Sequence, residues 1–374
     1  MILPGKTIGI LGGGQLGRMF AIAARRMGYH VHAFDPIHYG PTGQIADFEV
    51  NSSYTDIAAA RDFARLVDVV TFEFENVPAE TLAAIEQICP VHPSPRVLDT
   101  CRHRLREKRF LNSIGIPTAP FCEINSVSDL EKAIREVGTP SILKSAEFGY
   151  DGKGQVTIHA ATDLGKAWES VGNAPSVLEG FVNFEKEISV IAARTTSGQV
   201  ACFDVAENVH KHGILDLATV PAKITDTTRD EAISVARRIA ESLDVIGLIA
   251  VEMFVVNGRI VVNELAPRPH NSGHFSFDAC LTSQFEQQLR AVCGLPLGDT
   301  KLFQPVAMAN LLGDLWMNGE PHWAAALSDP RVKLHLYGKT EPKRGRKMGH
   351  LTALADTVDE AKTAVSKARE AMIR

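Results

Sequence analysis

Val261-Val262-Asn263-Glu264-Leu265-Ala266-Pro267-Arg268-Pro269-His270-Asn271-Ser272-Gly273-His274 places one acid, two amides, one Arg and two His at the end of a hydrophobic strand. A carboxylate at a strand end can hold Mg²⁺, and an Arg–His–Asn run just after it can hold an oxyanion beside the metal. Upstream, Glu252 lies in a matching apolar stretch, 249–256, and the Asn257-Gly258 between the two stretches is a strong hairpin signal. Register then becomes decisive. A two-residue loop puts Glu252 and Glu264 on opposite faces of the hairpin, whereas a three-residue loop, 257–259, sets them directly across from each other. Two carboxylates about 4 Å apart repel by roughly 4 kcal/mol at an effective dielectric of 20. A divalent cation removes that cost, and hard oxygen ligands favour Mg²⁺ over zinc. Either Glu alone is more often a solvent-facing strand residue. Beside the run 268–274, a metal held by Glu252 and Glu264 is the stronger reading.

At 374 residues the chain is long enough for two or three domains. Hydrophobic residues at 45% and charged residues at 22% describe a soluble globular protein. A net charge of −5 argues against a general nucleic-acid surface. Cys89, Cys101, Cys122, Cys202, Cys280 and Cys293 form no CxxC pair and read as reduced thiols. The first residues lack a secretory apolar region, and no apolar run reaches membrane-spanning length. A cytoplasmic protein with neither a membrane nor a nucleic-acid partner is expected.

The order of elements points to an α/β chain. A strand at 7–11 runs into Gly12-Gly13-Gly14-Gln15-Leu16-Gly17, a helix follows to about 27, and a second strand, 31–34, ends at Asp35. Further alternation through residue 88 predicts a doubly wound parallel unit, closed by the Pro-rich stretch 89–95. One helix is expected over 97–113, then a second α/β region with strands at 141–144, 156–158 and 177–179. Strands 188–193 and 199–205 are expected to pair antiparallel, because only a short Thr-Ser-Gly turn separates them. A helix is expected at 281–292, with strands at 306–312 and 333–337 and a last helix at 358–373. The boundaries are read as 1–100, 101–295 and 296–374, with a lid at about 117–182.

Gly12-x-Gly14-x-x-Gly17 followed by Asp35 matches the dinucleotide fingerprint. No hydride-transfer site accompanies it, so it reads as an anion site and not as an NAD site. Gly149-Tyr150-Asp151-Gly152-Lys153-Gly154-Gln155 could lay backbone N–H groups and an ammonium over phosphates, although it is not a Walker A sequence. Lys144 on the preceding strand would be an odd core residue unless it reaches an anion. Glu179, Phe181, Val182 and Glu187 sit where a strand edge could read a purine and a ribose, and Phe254 could pack on the base. Glu73-Phe74-Glu75-Asn76 closes a parallel strand, where ligand crevices form. Lys343-Arg344-Gly345-Arg346-Lys347 is sized to clamp one phosphate.

Together these segments resemble the ATP-grasp ligases, and within them the N5-carboxyaminoimidazole ribonucleotide synthetase family of purine biosynthesis. The likeness rests on 14–19, 149–155, 263–274 and the closing Gly345-Arg346-Lys347-Met348-Gly349-His350 run, and it extends over nearly the whole chain. It implies an ATP-grasp fold with an N-terminal doubly wound parallel-sheet domain and a small C-terminal domain. It also implies a reaction in which ATP, bicarbonate and 5-aminoimidazole ribonucleotide give the carboxylated ribonucleotide, ADP and phosphate through carboxyphosphate.

By the same likeness, Glu252 and Glu264 would hold Mg²⁺, with Mn²⁺ as an alternative, and Asn263 would sit beside them. Arg104, Lys108, Lys144 and the segment Gly152, Lys153, Gly154 and Gln155 would face the phosphates of ATP. Glu179, Phe181, Val182 and Glu187 would frame adenosine. Arg268, His270 and Asn271, with Lys347, would be catalytic. Gln15, Leu16, Glu73, Tyr150, Asp151, Lys343, Arg346 and Lys347 would surround the aminoimidazole ribonucleotide. A homodimer and transient contact with the next purine-pathway mutase are implied as well. His103 stands where the family pattern has an Asp, and His212 where an acid or amide is common. A formate-activating sister ligase, an NAD-dependent oxidoreductase and a catalytically silent nucleotide binder are the competing readings.

Overall fold

The computed structural model describes residues 1–147, 149 and 154–373. Its N-terminal part is a four-stranded parallel sheet in the order Phe48–Val50, His30–Phe34, Thr7–Leu11, Val69–Phe72. The central strand is apolar because helices cover both faces of the sheet. Ile8 and Ile10 pack with Leu16 and Phe20 of the helix Gln15–Arg26, while Leu11 joins Phe34, Phe63 and Phe72 on the other side.

The segment expected as a lid forms a four-stranded antiparallel sheet, in the order Phe121–Ile124, Ser176–Gly180, Ser141–Ser145, Gln155–Ile158. The main sheet has nine strands. Its path runs from Arg259–Ala266 through Gly247–Val256, Lys186–Arg194, Ala206–Lys211, Ile214–Val220, Val306–Leu312 and Lys347–Leu354 to Val332–Leu336, with Val200–Cys202 pairing off it. The antiparallel pairing expected after residue 188 is present, with Arg194 opposite Val200. Among the described residues, those from 296 onward form no sheet separate from the main one. Their strands continue the main one through the ladder from Leu217↔Ala309 to Val220↔Val306, and the helix Val358–Glu370 covers that end.

One difference from the sequence reading bears on the site. The helix expected over 97–113 is broken into Pro95–Cys101 and Arg104–Ser113, because His103 adopts extended backbone (φ −116°, ψ 107°) as the N-cap of the second. Arg104 thereby begins a helix, and its backbone N–H donates to the Ala146 carbonyl just beyond the strand Ser141–Ser145 at 3.0 Å. The helix Gln284–Val292 links the main sheet to the N-terminal part. Phe285, Leu289 and Val292 enter the N-terminal core, and the Gln288 amide donates to Thr71 Oγ1 at 2.8 Å and accepts from Leu248 N at 2.6 Å. Among the described residues no helix is long and apolar enough to cross a membrane.

Candidate active site

The hairpin turn has two residues, Asn257 (φ 49°) and Gly258 (φ 72°), with Val256 opposite Arg259. That loop alone would place Glu252 and Glu264 on opposite faces. A β-bulge restores their pairing: Met253 lies opposite Val262, Glu252 lies opposite Glu264, and Asn263 is the extra residue between. The three-residue loop that would have aligned the acids is therefore absent, and the ladder itself supplies the shift.

Both acids have borrowed partners. Glu264 Oε2 accepts from Arg104 Nη1 at 3.2 Å, and Glu252 Oε1 lies 3.1 Å from His270 Nε2. Burial, then the charge of Glu264, pushes the Glu252 carboxyl up to about 7. Burial acts on Glu264 in the same direction, but Arg104 and Lys144 outweigh it and hold that carboxyl below its usual value. Behind them sits Glu107, whose Oε2 accepts from Leu265 N at 2.7 Å and whose pKa burial and Glu264 push up to about 8. Within Arg104-Leu105-Arg106-Glu107-Lys108 it reads as one more solvated charge, so the sequence carried no signal for its burial.

A buried triad joins the small antiparallel sheet, through Lys144 and Glu179, to Lys108 of the helix Arg104–Ser113. Glu179 Oε2 accepts from Lys144 Nζ at 2.9 Å, and Lys108 Nζ lies 3.2 Å from Glu179 Oε1. Burial works against a charged Glu179, yet Lys144 and Lys108 hold it down to about 2. Lys108, expected to face the phosphates of ATP, is only 1% exposed and sets its ammonium against Glu179, and Glu179, expected to frame adenosine, has its carboxylate between Lys108 and Lys144. What Glu179 can still offer a purine is the backbone at the end of the strand Ser176–Gly180. Phe181 is exposed and Val182 half-buried just beyond it. Phe254 stacks on Phe184 with ring centroids 4.6 Å apart, an aromatic partner the sequence reading did not single out. Glu187 Oε2 lies 2.7 Å from His210 Nδ1. His210 was missed too, since an alternating strand gives no reason to prefer one of its polar residues.

Arg268 Nε lies 2.8 Å from Glu75 Oε1, so an N-terminal strand end holds the arginine of the central hairpin. His270 Nδ1 lies 2.9 Å from Ser272 Oγ, and burial with the nearby Arg268 keeps its imidazole neutral, well below the usual value. Asn271 exchanges amide hydrogen bonds with Asn310 at 2.6 and 3.1 Å.

The glycine-rich N-terminal loop is an anion site already filled by the chain itself. Gly14 N donates to Glu73 Oε1 at 2.6 Å, and Leu16 N and Gly17 N donate to Glu73 Oε2 at 3.2 and 3.4 Å. Gly13 N donates to Asp35 Oδ2 at 2.6 Å, where the Tyr54 hydroxyl also donates at 2.6 Å. A Cβ at Gly13 would lie 2.6 Å from Asp35 Cγ and one at Gly14 would lie 2.6 Å from Glu73 Oε1, so the glycines admit these carboxylates. Gln15 begins the helix beside this cradle, with Leu16 buried under it.

Lys343 pairs with Glu341 at 2.9 Å and is largely exposed, while Arg346 Nη1 donates to the Glu341 carbonyl at 2.8 Å. Lys347 opens the strand Lys347–Leu354, close enough to Glu252 and His270 for its charge to act on both. Gly154 (φ 70°) accepts from Ser145 N at 2.8 Å, and Gln155 lies opposite Lys144 in the lid sheet. Tyr150, Asp151, Gly152 and Lys153 lie outside the described residues. His212 occupies a hairpin turn at φ 52°, so an acid or amide there suits the left-handed backbone, which explains that departure without a ligand.

A family described as the ATP-grasp domain matches residues 109–285. The ribonucleotide synthetase preATP-grasp domain matches 5–102, and the phosphoribosylaminoimidazole carboxylase C-terminal domain matches 306–364. The chain is 45% identical to the N5-carboxyaminoimidazole ribonucleotide synthase of Brucella melitensis, covering 94% of this chain and 97% of that one. It is 41% identical to the synthase of the same name from Bacillus subtilis, covering 96% and 94%. The crystal structure of N5-carboxyaminoimidazole synthase from Aspergillus clavatus, in complex with ADP and 5-aminoimidazole ribonucleotide, superposes with a TM-score of 0.90 at 32% identity over 98% of both chains.

Proposed function

The chain belongs to the N5-carboxyaminoimidazole ribonucleotide synthase family of ATP-grasp ligases, and from that premise we propose how its residues divide the reaction. The protein is a carbon–nitrogen ligase that carboxylates 5-aminoimidazole ribonucleotide with the use of ATP in purine biosynthesis. The carboxyl donor is bicarbonate. Its oxygen attacks the γ-phosphorus, ADP leaves, and carboxyphosphate forms. The exocyclic amine of the ribonucleotide then attacks the carboxyl carbon, either of carboxyphosphate with loss of phosphate or of the CO₂ that carboxyphosphate releases together with phosphate.

The observation that carries this assignment is the bulge at Asn263, which opposes Glu252 and Glu264 immediately before Arg268, His270 and Asn271. An acid pair in which burial, and then the other acid, pushes one carboxyl up fits a hard divalent cation, and one or two carboxylates are what Mg²⁺ takes when phosphates and water complete its shell. Glu252 and Glu264 would hold Mg²⁺, or Mn²⁺ in its place; bound there it neutralises charge on the transferring phosphoryl group.

Lys144 and Arg104 add fixed positive charge near the phosphates, with Lys108 holding Glu179 so that Lys144 stays in place. Arg268 and Asn271, with the neutral His270, hold the carboxyphosphate and present N–H donors to it. Phe181, Val182, Glu187 and the Phe184–Phe254 stack line the adenosine end. Glu73, Gln15 and Lys347, with the loop carrying Lys343 and Arg346, line the ribonucleotide end. Enclosure by the lid keeps water from the reactive intermediate. A homodimer is the expected solution state, measurable by light scattering.

The test is ADP release with Mg²⁺-ATP and bicarbonate, with and without aminoimidazole ribonucleotide, set against formate plus glycinamide ribonucleotide. Bicarbonate-dependent stimulation by the aminoimidazole substrate is expected. Stimulation by the formate pair alone would move the substrate assignment to the sister ligase.

A further inference from the structure

Behind the carboxyphosphate residues lies a polar layer that the reaction above does not use. Asn310, His350 and His335 are direct cross-strand neighbours on Val306–Leu312, Lys347–Leu354 and Val332–Leu336, so their side chains share one face of the sheet. His335 and His350 stack with centroids 4.5 Å apart and planes 10° from parallel. Each member of this row meets one residue of the segment that follows His270. Asn310 exchanges amide hydrogen bonds with Asn271, His350 lies 5.0 Å ring to ring from His274, and His335 Nε2 lies 2.8 Å from Asp278 Oδ2. Residues 271, 274 and 278 are spaced as one face of a helix: Asn271 opens the short turn Asn271–Gly273, His274 caps it, and Asp278 lies in the turn Ser276–Ala279.

A layer of this kind is a poor choice for stability alone. His274 Nε2 and His350 Nε2 are buried without hydrogen-bond partners, and an apolar layer would avoid that cost. Its virtue is geometric, since each hydrogen bond accepts one register only. Asn310 is the most constrained member. Its Nδ2 donates to the Leu215 carbonyl at 2.6 Å and to Asn271 Oδ1 at 2.6 Å, while its Oδ1 accepts from Asn271 Nδ2 at 3.1 Å. Asn271 is thereby locked in one amide orientation. Gln284 seconds this from the other side, accepting from His270 N at 2.9 Å and donating to the His270 carbonyl at 2.8 Å.

We propose that the row Asn310–His350–His335 is a template that positions the 271–278 segment, with Asn310 as the residue that aims Asn271 at carboxyphosphate. The inference rests on the role given to Asn271 under the proposed function. Misaiming Asn271 loosens the hold on the intermediate, so it is lost to water: ADP is still released while carboxylation of the amine falls.

The experiment compares Asn310→Ala, Asn271→Ala and the double variant in the full-length protein for ADP release, carboxylated product, KM for ATP and thermal unfolding. Asn310→Ala is expected to lower the carboxylation kcat about ten- to a hundredfold, as a misplaced reactive group does. KM for ATP should stay within about twofold, more ADP should be released per product, and the double variant should be no worse than Asn271→Ala. Effects that multiply in the double variant, or an unchanged ADP-to-product ratio in Asn310→Ala, overturn the template. An unchanged ratio in Asn271→Ala itself overturns the prior assignment of Asn271, and the template falls with it. Should Asn310→Ala not fold, Asp278→Asn tests the part-exposed end of the same row. A loss of about two- to tenfold in coupled product, the size of one hydrogen bond, supports the template, and no change in coupling overturns it.

Discussion

Two acidic sites in this molecule use the same chemistry to opposite ends. In the N-terminal loop, the backbone N–H groups of Gly13, Gly14, Leu16 and Gly17 are turned on Asp35 and Glu73, so the carboxylates and their donors satisfy each other. In the central hairpin, Glu252 and Glu264 face each other, and each leans on a cation or imidazole that the reaction would also need. The first site closes on itself, while the second leaves charge to be completed from outside. Backbone N–H groups meet Asp35 and Glu73, whereas Glu252 and Glu264 are met by the side chains His270 and Arg104.

Substitution of the hairpin acids should separate the two sites most sharply. Glu264→Ala is expected to abolish turnover, a loss of about a thousandfold or more in kcat, with the fold retained in far-UV circular dichroism. Lys144→Ala should follow closely, and full activity in either variant would sink the site assignment. Asp35→Ala should do the reverse. It strips acceptors from Gly13 N, Tyr54 OH and Ile37 N, and should lower unfolding free energy by about 1–3 kcal/mol in urea, with far less effect on kcat than Glu264→Ala.

The pH dependence refines the contrast. The Glu252 carboxyl is raised in the folded state, so the native protein holds that proton more tightly than the unfolded chain does. Stability of the metal-free protein should therefore fall as pH rises from about 4.5 toward about 7. Mg²⁺ should flatten that slope in melting curves, and a slope indifferent to Mg²⁺ would detach the acid pair from metal binding. The smallest effect is a null one. NADH fluorescence should be unchanged by the protein, because the amides of the dinucleotide fingerprint are already spent on Glu73 and Asp35.

Much of this was legible before folding. The parallel N-terminal unit follows from apolar strands punctuated by glycine turns, and the two acids and the Arg–His–Asn run stand out by residue type and proximity, although their register does not. Lys144 stood out because a lysine on an apolar strand needs an anion, and Glu179 is that anion. Glu107, Phe184, His210 and Asn310 were not legible. Each owes its place to a partner distant in sequence, and nothing local distinguishes such a residue from an ordinary polar or core one. The pairing that joins the C-terminal strands to the main sheet, between 217–220 and 306–309, likewise leaves no local trace.

By itself, the sequence determined which chemistry the chain carries: the acids, the cations, the glycine loops and the alternation that selects an α/β fold. Those properties depend on residue type and short-range periodicity, which need no partner. Tertiary structure alone decided which of those groups remain available to a ligand. It took Lys108 into the core, filled the first glycine loop with Glu73, and used one bulged residue, Asn263, to bring Glu252 opposite Glu264. Hydrogen-bond register and burial are properties of two chain segments at once, so they emerge only when those segments meet.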